Sequence, residues 1–177
     1  TNGTFTAGQT SNVRFDGTGT AALNLATGET LGNLIVDNSG TLQPSLATGN
    51  TLTVNGAVTI GTGGLLDLNS NNLRLVVNDQ NATGTAVSVG GAALGRLTLD
   101  DPGGNATTLT VNSGRLLVGH ASSVVTVQNS TTVTLLGDLD YQLGSIAWGA
   151  GSRLLLDAAA TQTVTLAGTP AFETIEA

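Results

Sequence analysis

Twelve acids and one histidine are the side chains that could carry acid–base or metal chemistry, and their spacing decides how much. Asp138 and Asp140 stand two apart, so an extended chain puts both carboxylates on one side. Asp37-Asn38 and Asp100-Asp101 recur in similar glycine-containing surroundings. A calcium-binding repeat would use runs of the Gly-Gly-x-Gly-x-Asp kind, and Gly61-Thr62-Gly63-Gly64 has the glycines without the acid. Short acids beside Gly, Asn and Ser close turns, and turn capping is the reading these carry. His120, in Val118-Gly119-His120-Ala121, stands alone, so it makes neither a triad nor a zinc site and reads as a surface turn residue. Glycan-cleaving enzymes need clustered carboxylates, or a cation beside them. The chain has no Lys, and Arg14 and Arg153 read as outward strand positions. The sequence therefore predicts no catalytic residue, no metal ligand and no cofactor.

Binding residues are the next class. Asn81-Ala82-Thr83, Asn105-Ala106-Thr107 and Asn129-Ser130-Thr131 follow one another at intervals of 24 residues. Each opens an N-x-[ST] sequon, as does Asn2-Gly3-Thr4. Glycosylation is one reading of Asn81, Asn105 and Asn129. The other, preferred here, is a structural ladder of side-chain amides at one corner of successive repeats. Trp148 and Tyr141 lie in the least regular stretch, Asp138 to Gly151, where a sugar-contacting pair competes with packed aromatics closing a wider coil. Packing is the stronger reading, because large aromatics act chiefly through burial. The pairs Thr51/Thr53, Thr108/Thr110, Thr132/Thr134 and Thr163/Thr165 invite comparison with ice-binding surfaces, although Asn, Ser and Gly interrupt them.

The elements that must position these residues follow from composition and periodicity. Hydrophobic residues make up 40% of the 177, yet only 3% are aromatic and 10% charged, well below the roughly 25% charged of an ordinary globular domain. The surface must be built from neutral Thr, Ser, Asn and Gly. A net charge of −7 with five arginines gives nothing to attract a phosphate backbone, so nucleic acid is excluded as a partner. No Cys means no disulfide framework. No run of about 18 apolar residues spans a membrane, and no secretory signal is visible.

Apolar residues alternate in short bursts: Leu34-Ile35-Val36, Leu52-Thr53-Val54, Val58-Thr59-Ile60, Leu66-Asp67-Leu68, Leu73-Arg74-Leu75. Alternation is the strand signature, and Gly, Asn or Ser separates each burst from the next. The bursts also repeat. Leu31-Gly32-Asn33-Leu34-Ile35-Val36 matches Leu94-Gly95-Arg96-Leu97-Thr98-Leu99 at an offset of 63. Phe5, Val13, Phe15, Leu23 and Leu25 match Ile146, Leu154, Leu156, Val164 and Leu166 at an offset of 141, and Phe172 and Ile175 match Leu31 and Leu34. Short strands repeating every 20 to 30 residues mean a solenoid. The expectation is an all-β, right-handed parallel β-helix of about seven or eight coils, the hand following from the crossover rule. An antiparallel β-sandwich, signalled by Asn55-Gly56, is the alternative.

The segments NTLTVNGAVTIGTGGLLDLNSNNLRL and VRFDGTGTAALNLATGETLGNLIVDNSG resemble the β-strand repeats of large bacterial surface and secreted proteins, the filamentous-haemagglutinin-like adhesins and autotransporter passengers. The resemblance spans nearly the whole chain. It implies an extracellular or cell-surface location and a structural role in adhesion or a fibre. The expected function is thus a non-enzymatic rod or filament segment over residues 1–177, either a window of a longer repeat array or a subunit that stacks end to end. Phe5, Phe172 and Ile175 are the expected stacking residues, with no atypical capping repeat visible. The expected partners are further repeats of the same chain or copies of it, with surface glycans as a further class and no membrane insertion. A carbohydrate-binding or carbohydrate-cleaving β-helix is the first alternative, an ice-binding module the second.

Overall fold

The computed structural model describes residues 10–25, 28–37, 39–44, 51–68, 73–80, 84–90, 95–99, 108–167 and 170–177. Every paired strand runs parallel to its neighbour. That pairing defines a parallel β-solenoid of about six turns with three faces, and it removes the sandwich alternative.

The first face stacks β1 (Asn12–Phe15), β4 (Asn33–Val36), β7 (Val58–Ile60), β10 (Thr85–Val89), β13 (Arg115–Val118), β16 (Asp138–Tyr141) and β19 (Val164–Leu166). The second stacks β2 (Thr20–Leu23), β5 (Thr41–Pro44), β8 (Leu65–Leu68), β11 (Arg96–Leu99), β14 (Val124–Val127) and β17 (Ser145–Trp148). The third stacks β3 (Thr30–Leu31), β6 (Thr51–Val54), β9 (Arg74–Val77), β12 (Thr108–Val111), β15 (Thr132–Leu135), β18 (Arg153–Leu156) and β20 (Ile175–Glu176).

Why such short strands hold is visible in the burial. Within β6, β12 and β15 the apolar residues are buried and the threonines between them face outward. In-register pairing then stacks like on like. Leu52, Leu75, Leu109, Val133 and Leu154 form one column, and Leu68, Leu99, Val127 and Trp148 another. Leu75 and Leu109 are fully buried. At roughly 25 cal/mol per Å² of apolar surface, each such leucine contributes about 2 kcal/mol. Branched aliphatics suit these columns because each must fit between neighbours spaced by one strand, about 4.8 Å.

The coils are unequal. Hydrogen-bonded equivalents lie 21 residues apart at Asn12 and Asn33, and 34 apart at Asn78 and Asn112. The longer middle coils account for about six turns where seven or eight were expected. They also displace the internal copies. The offset of 63 carries Leu34 of the first face onto Leu97 of the second, and the offset of 141 carries Val13 of the first face onto Leu154 of the third. Each copy is therefore out of phase by one face. The unit that repeats in sequence is the strand with its turn, a third of a coil.

Corners place special demands on the backbone. At Gly61–Gly64 the Gly64 amide donates to the Gly61 carbonyl (2.8 Å), while Thr62 and Gly63 have φ of 51° and 86°. Two positive φ values in the middle of a four-residue turn define the type I′ geometry, which Asn-Gly fits best and a β-branched residue fits poorly. At another corner a Cβ on Gly137 would collide with the Gly114 carbonyl, so the coil can pass there only as glycine.

Candidate functional site

The chemistry-bearing residues can now be located, beginning with the acids. Asp37 accepts from the Arg14 guanidinium (2.6 Å) and Asp67 from the Gln43 amide (2.9 Å). Asp140 faces Arg115 at 3.1 Å and also accepts from Gln142 (3.0 Å). Its neighbour Asp138 instead accepts from the Thr163 backbone N–H (2.8 Å). Asp79, 3% exposed, accepts from the Gly84 amide (3.1 Å). These bonds mostly run from coil to coil or close a corner, as turn and ladder capping would have it. Asp138 and Asp140 do lie on one strand side, but each carboxylate has its own partner and they do not converge on a shared point. Among the described residues no group of three His, Asp or Glu side chains could hold a metal ion. Asn38, Asp100 and Asp101 lie outside the described residues.

His120 sits in the turn closed by the Ser123 amide donating to the His120 carbonyl (2.9 Å). Its Nδ1 accepts from the Ser122 amide (3.1 Å), which leaves the proton on Nε2 in the neutral ring. Trp148 ends its core column, and Tyr141 lies one coil short of the end of its own, beneath Leu166. Tyr141 is 8% exposed and its hydroxyl donates to the Gly144 carbonyl. Trp148 packs against Phe172 with ring centroids 5.3 Å apart and planes at 49°. Both rings are thus held in packing contacts.

Of the three expected ladder asparagines, Asn81 and Asn105 lie outside the described residues. Asn129 accepts from the Ala150 amide of the next coil (2.9 Å), a corner role. The strands that follow the three do not share a face: β12 and β15 are paired, whereas β10 belongs to the first face. An amide ladder does exist elsewhere. Asn112 donates to Asn78 (2.7 Å), Asn78 to Asn55 (3.0 Å) and Asn55 to the Thr30 hydroxyl (3.3 Å). It runs up the corner after the third face. Its signal was present in the sequence as Leu-x-Val-Asn at 52–55, 75–78 and 109–112. Unequal spacing hid it, since the rungs are 23 and 34 residues apart.

Three of the four threonine pairs share one face. Thr51/Thr53, Thr108/Thr110 and Thr132/Thr134 all project from the third face, with Arg74 and Val76 between the first pair and the second. Thr163/Thr165 belongs to the first face. Of the expected stacking residues, Phe5 lies outside the described residues, Phe172 is half-buried against Trp148, and Ile175 is 50% exposed.

No protein-family model, curated protein or solved structure matches this chain. The class of protein is accordingly defined by the coil itself, a three-faced parallel β-solenoid.

Proposed function

We propose that this chain is a non-enzymatic rod segment of an extracellular or cell-surface structure, of the adhesin-stalk or filament kind. The observation that carries the reading is how the polar groups are used. Arg14–Asp37, Gln43–Asp67, Arg115–Asp140 and the Asn55–Asn78–Asn112 ladder each tie one coil to the next. A surface that spends its charged and amide groups on its own coils, around a stacked aliphatic core, is suited to stiffness rather than to turnover. Closely paired backbones leave a protease little extended chain to engage. Such a segment works by holding a distance, about six turns of roughly 4.8 Å, or on the order of 30 Å. Copies of the chain or further coils of the same kind are its natural neighbours along the axis.

The test is electron microscopy of the purified chain together with limited proteolysis. The reading expects straight, short rods or filaments and slow cutting confined to the corners. A compact round particle, or rapid cutting within the strands, would count against it.

The gathering of Thr51, Thr53, Thr108, Thr110, Thr132 and Thr134 on one face favours a second reading, an ice-binding module. Thermal hysteresis decides it. Hysteresis lost on replacing Thr110 and Thr134 by Lys would establish that reading, and none in the parent chain would remove it.

A further inference from the structure

Three of the five exposed large hydrophobics, Val164, Leu166 and Ile175, are 38%, 42% and 50% exposed. They occupy inward positions of β19 and β20. The residues directly beneath them, Leu139, Tyr141 and Leu154, are only 2%, 8% and 1% exposed. The sequence alternation that builds the core thus runs on into a coil that nothing covers among the described residues.

The hydrogen-bond ladder says what fits there. On the first face, inward residues aim their backbone groups at the following coil: Leu34 donates to the Ala57 carbonyl (2.9 Å), and Gly61 donates to the Val36 carbonyl (3.0 Å). Outward residues aim theirs at the preceding coil: Asn33 donates to the Ser11 carbonyl (2.7 Å), and Asp37 to the Phe15 carbonyl (2.8 Å). In β19 the Thr163 carbonyl and the Ala167 amide are bonded back to β16. The same alternation aims the N–H and C=O of Val164 and Leu166 away from it. At the opposite end it aims those of Asn12 and Arg14 away from β4. The two ends present the complementary halves of one parallel ladder, on the same face and with the same strand direction.

We propose that a second copy of this chain joins here head to tail, its β1 pairing in parallel with β19. This rests on the rod reading above and names the partner of that rod. Continuing the existing register sets Val13 over Val164 and Phe15 over Leu166. The Arg14 amide then donates to the Val164 carbonyl, and the Leu166 amide donates to the Arg14 carbonyl. Because the contact is heterologous and keeps each copy in the same rotational phase, it does not close into a ring and propagates as a filament.

Proline supplies the test, since it removes one N–H and is tolerated on an edge strand. Leu166→Pro deletes a donor that points away from β16 and leaves the β16 pairing in place. Arg14→Pro deletes the matching donor at the other end and leaves the β4 backbone pairing in place, although it also removes the Arg14–Asp37 bond. Size-exclusion chromatography with light scattering, over rising concentration, is expected to show growing oligomers for the parent chain and monomers for each variant alone. Mixed in equal amounts, the two variants are expected to form one-to-one dimers and nothing larger, because each retains one competent end. Circular dichroism checks that both keep the strand signal of the parent. If Leu166→Pro does not, Val164→Asp replaces it, because Val164 is already part-exposed in the single chain and becomes buried only at the joint. If Arg14→Pro does not, Val13→Asp replaces it, because Val13 is likewise only partly buried. A parent chain that stays monomeric at every concentration overturns the proposal, as do variants that still polymerise or a mixture that gives no dimer. Small-angle scattering separates the two readings: elongated monomers leave the rod standing without the joint, and round ones remove both.

Discussion

Thr62 is held at φ 51° beside Gly63 at 86°, in a turn whose geometry asks for Asn-Gly. A left-handed conformation costs an ordinary residue roughly 1–2 kcal/mol, and Asn tolerates it far better than a β-branched side chain. Thr62→Asn is expected to raise stability by about 0.5–1 kcal/mol, read as a higher urea midpoint with an unchanged slope. Gly137→Ala is expected to do the reverse. Its methyl would overlap the Gly114 carbonyl, and moving two packed coils apart should cost about 3 kcal/mol. Trp148 is a third case. Its buried Nε1 has no hydrogen-bond partner among the described residues, while its ring packs on Phe172. Trp148→Phe removes the unmatched donor and keeps an aromatic, so thermal unfolding should shift little. Trp148→Ala should lose about 3–5 kcal/mol.

Among the elements, β6, β9 and β12 show how a strand and its corner cooperate. Their inward Leu and Val stack, their outward positions face solvent, and the asparagine after each strand joins the amide ladder. Asn78 is the middle rung and satisfies a neighbour on both sides. Asn78→Ala would leave the part-buried Asn55 carbonyl oxygen without its donor, at about 1–3 kcal/mol, while the exposed Asn112 amide turns to solvent. Asn129→Ala, which removes a single bond to the Ala150 amide, should cost less. Denaturation of the two variants side by side checks the order. The sequence pattern marked these strands well. Leu34–Val36, Leu52–Val54, Val58–Ile60 and Leu66–Leu68 all lie within strands, because alternation needs only a local count. Which face each strand joins depends on the lengths of all the corners before it, and those lengths do not repeat.

Across the whole molecule, each coil touches only its neighbours, so stability is built from nearest-neighbour terms. The end coils lack one neighbour among the described residues. Val13, Phe15, Leu23 and Leu25 at one end, and Ile146, Trp148, Leu156 and Phe172 at the other, are only partly buried. Hydrogen exchange is expected to follow that gradient. Amides of Leu52–Ile60 and Leu109–Val118 should be protected longest, and those of Val164–Leu166 and Ile175–Glu176 should exchange first. Equal protection along the axis would mean the coils unfold as one unit rather than fray.

Composition and alternation alone determined that this chain is all-β, built of short strands with aliphatic interiors and neutral polar exteriors. Those properties are local: a side chain's class and its parity along the strand settle them. The recurrence of those strands pointed to a solenoid, and the parallel pairing established it. The sequence could not fix the phase of the coil. With three similar strand-and-turn units per turn, the copies at 63 and 141 residues matched one face onto another equally well. Only the tertiary structure decided which residues meet across coils. It gathered Thr51, Thr108 and Thr132 on one face, joined Asn55, Asn78 and Asn112 over unequal intervals, and left Val164, Leu166 and Ile175 at an open edge. The reason is physical. Hydrogen bonds between coils lock whole strands in register, and the corners absorb whatever length that register leaves over.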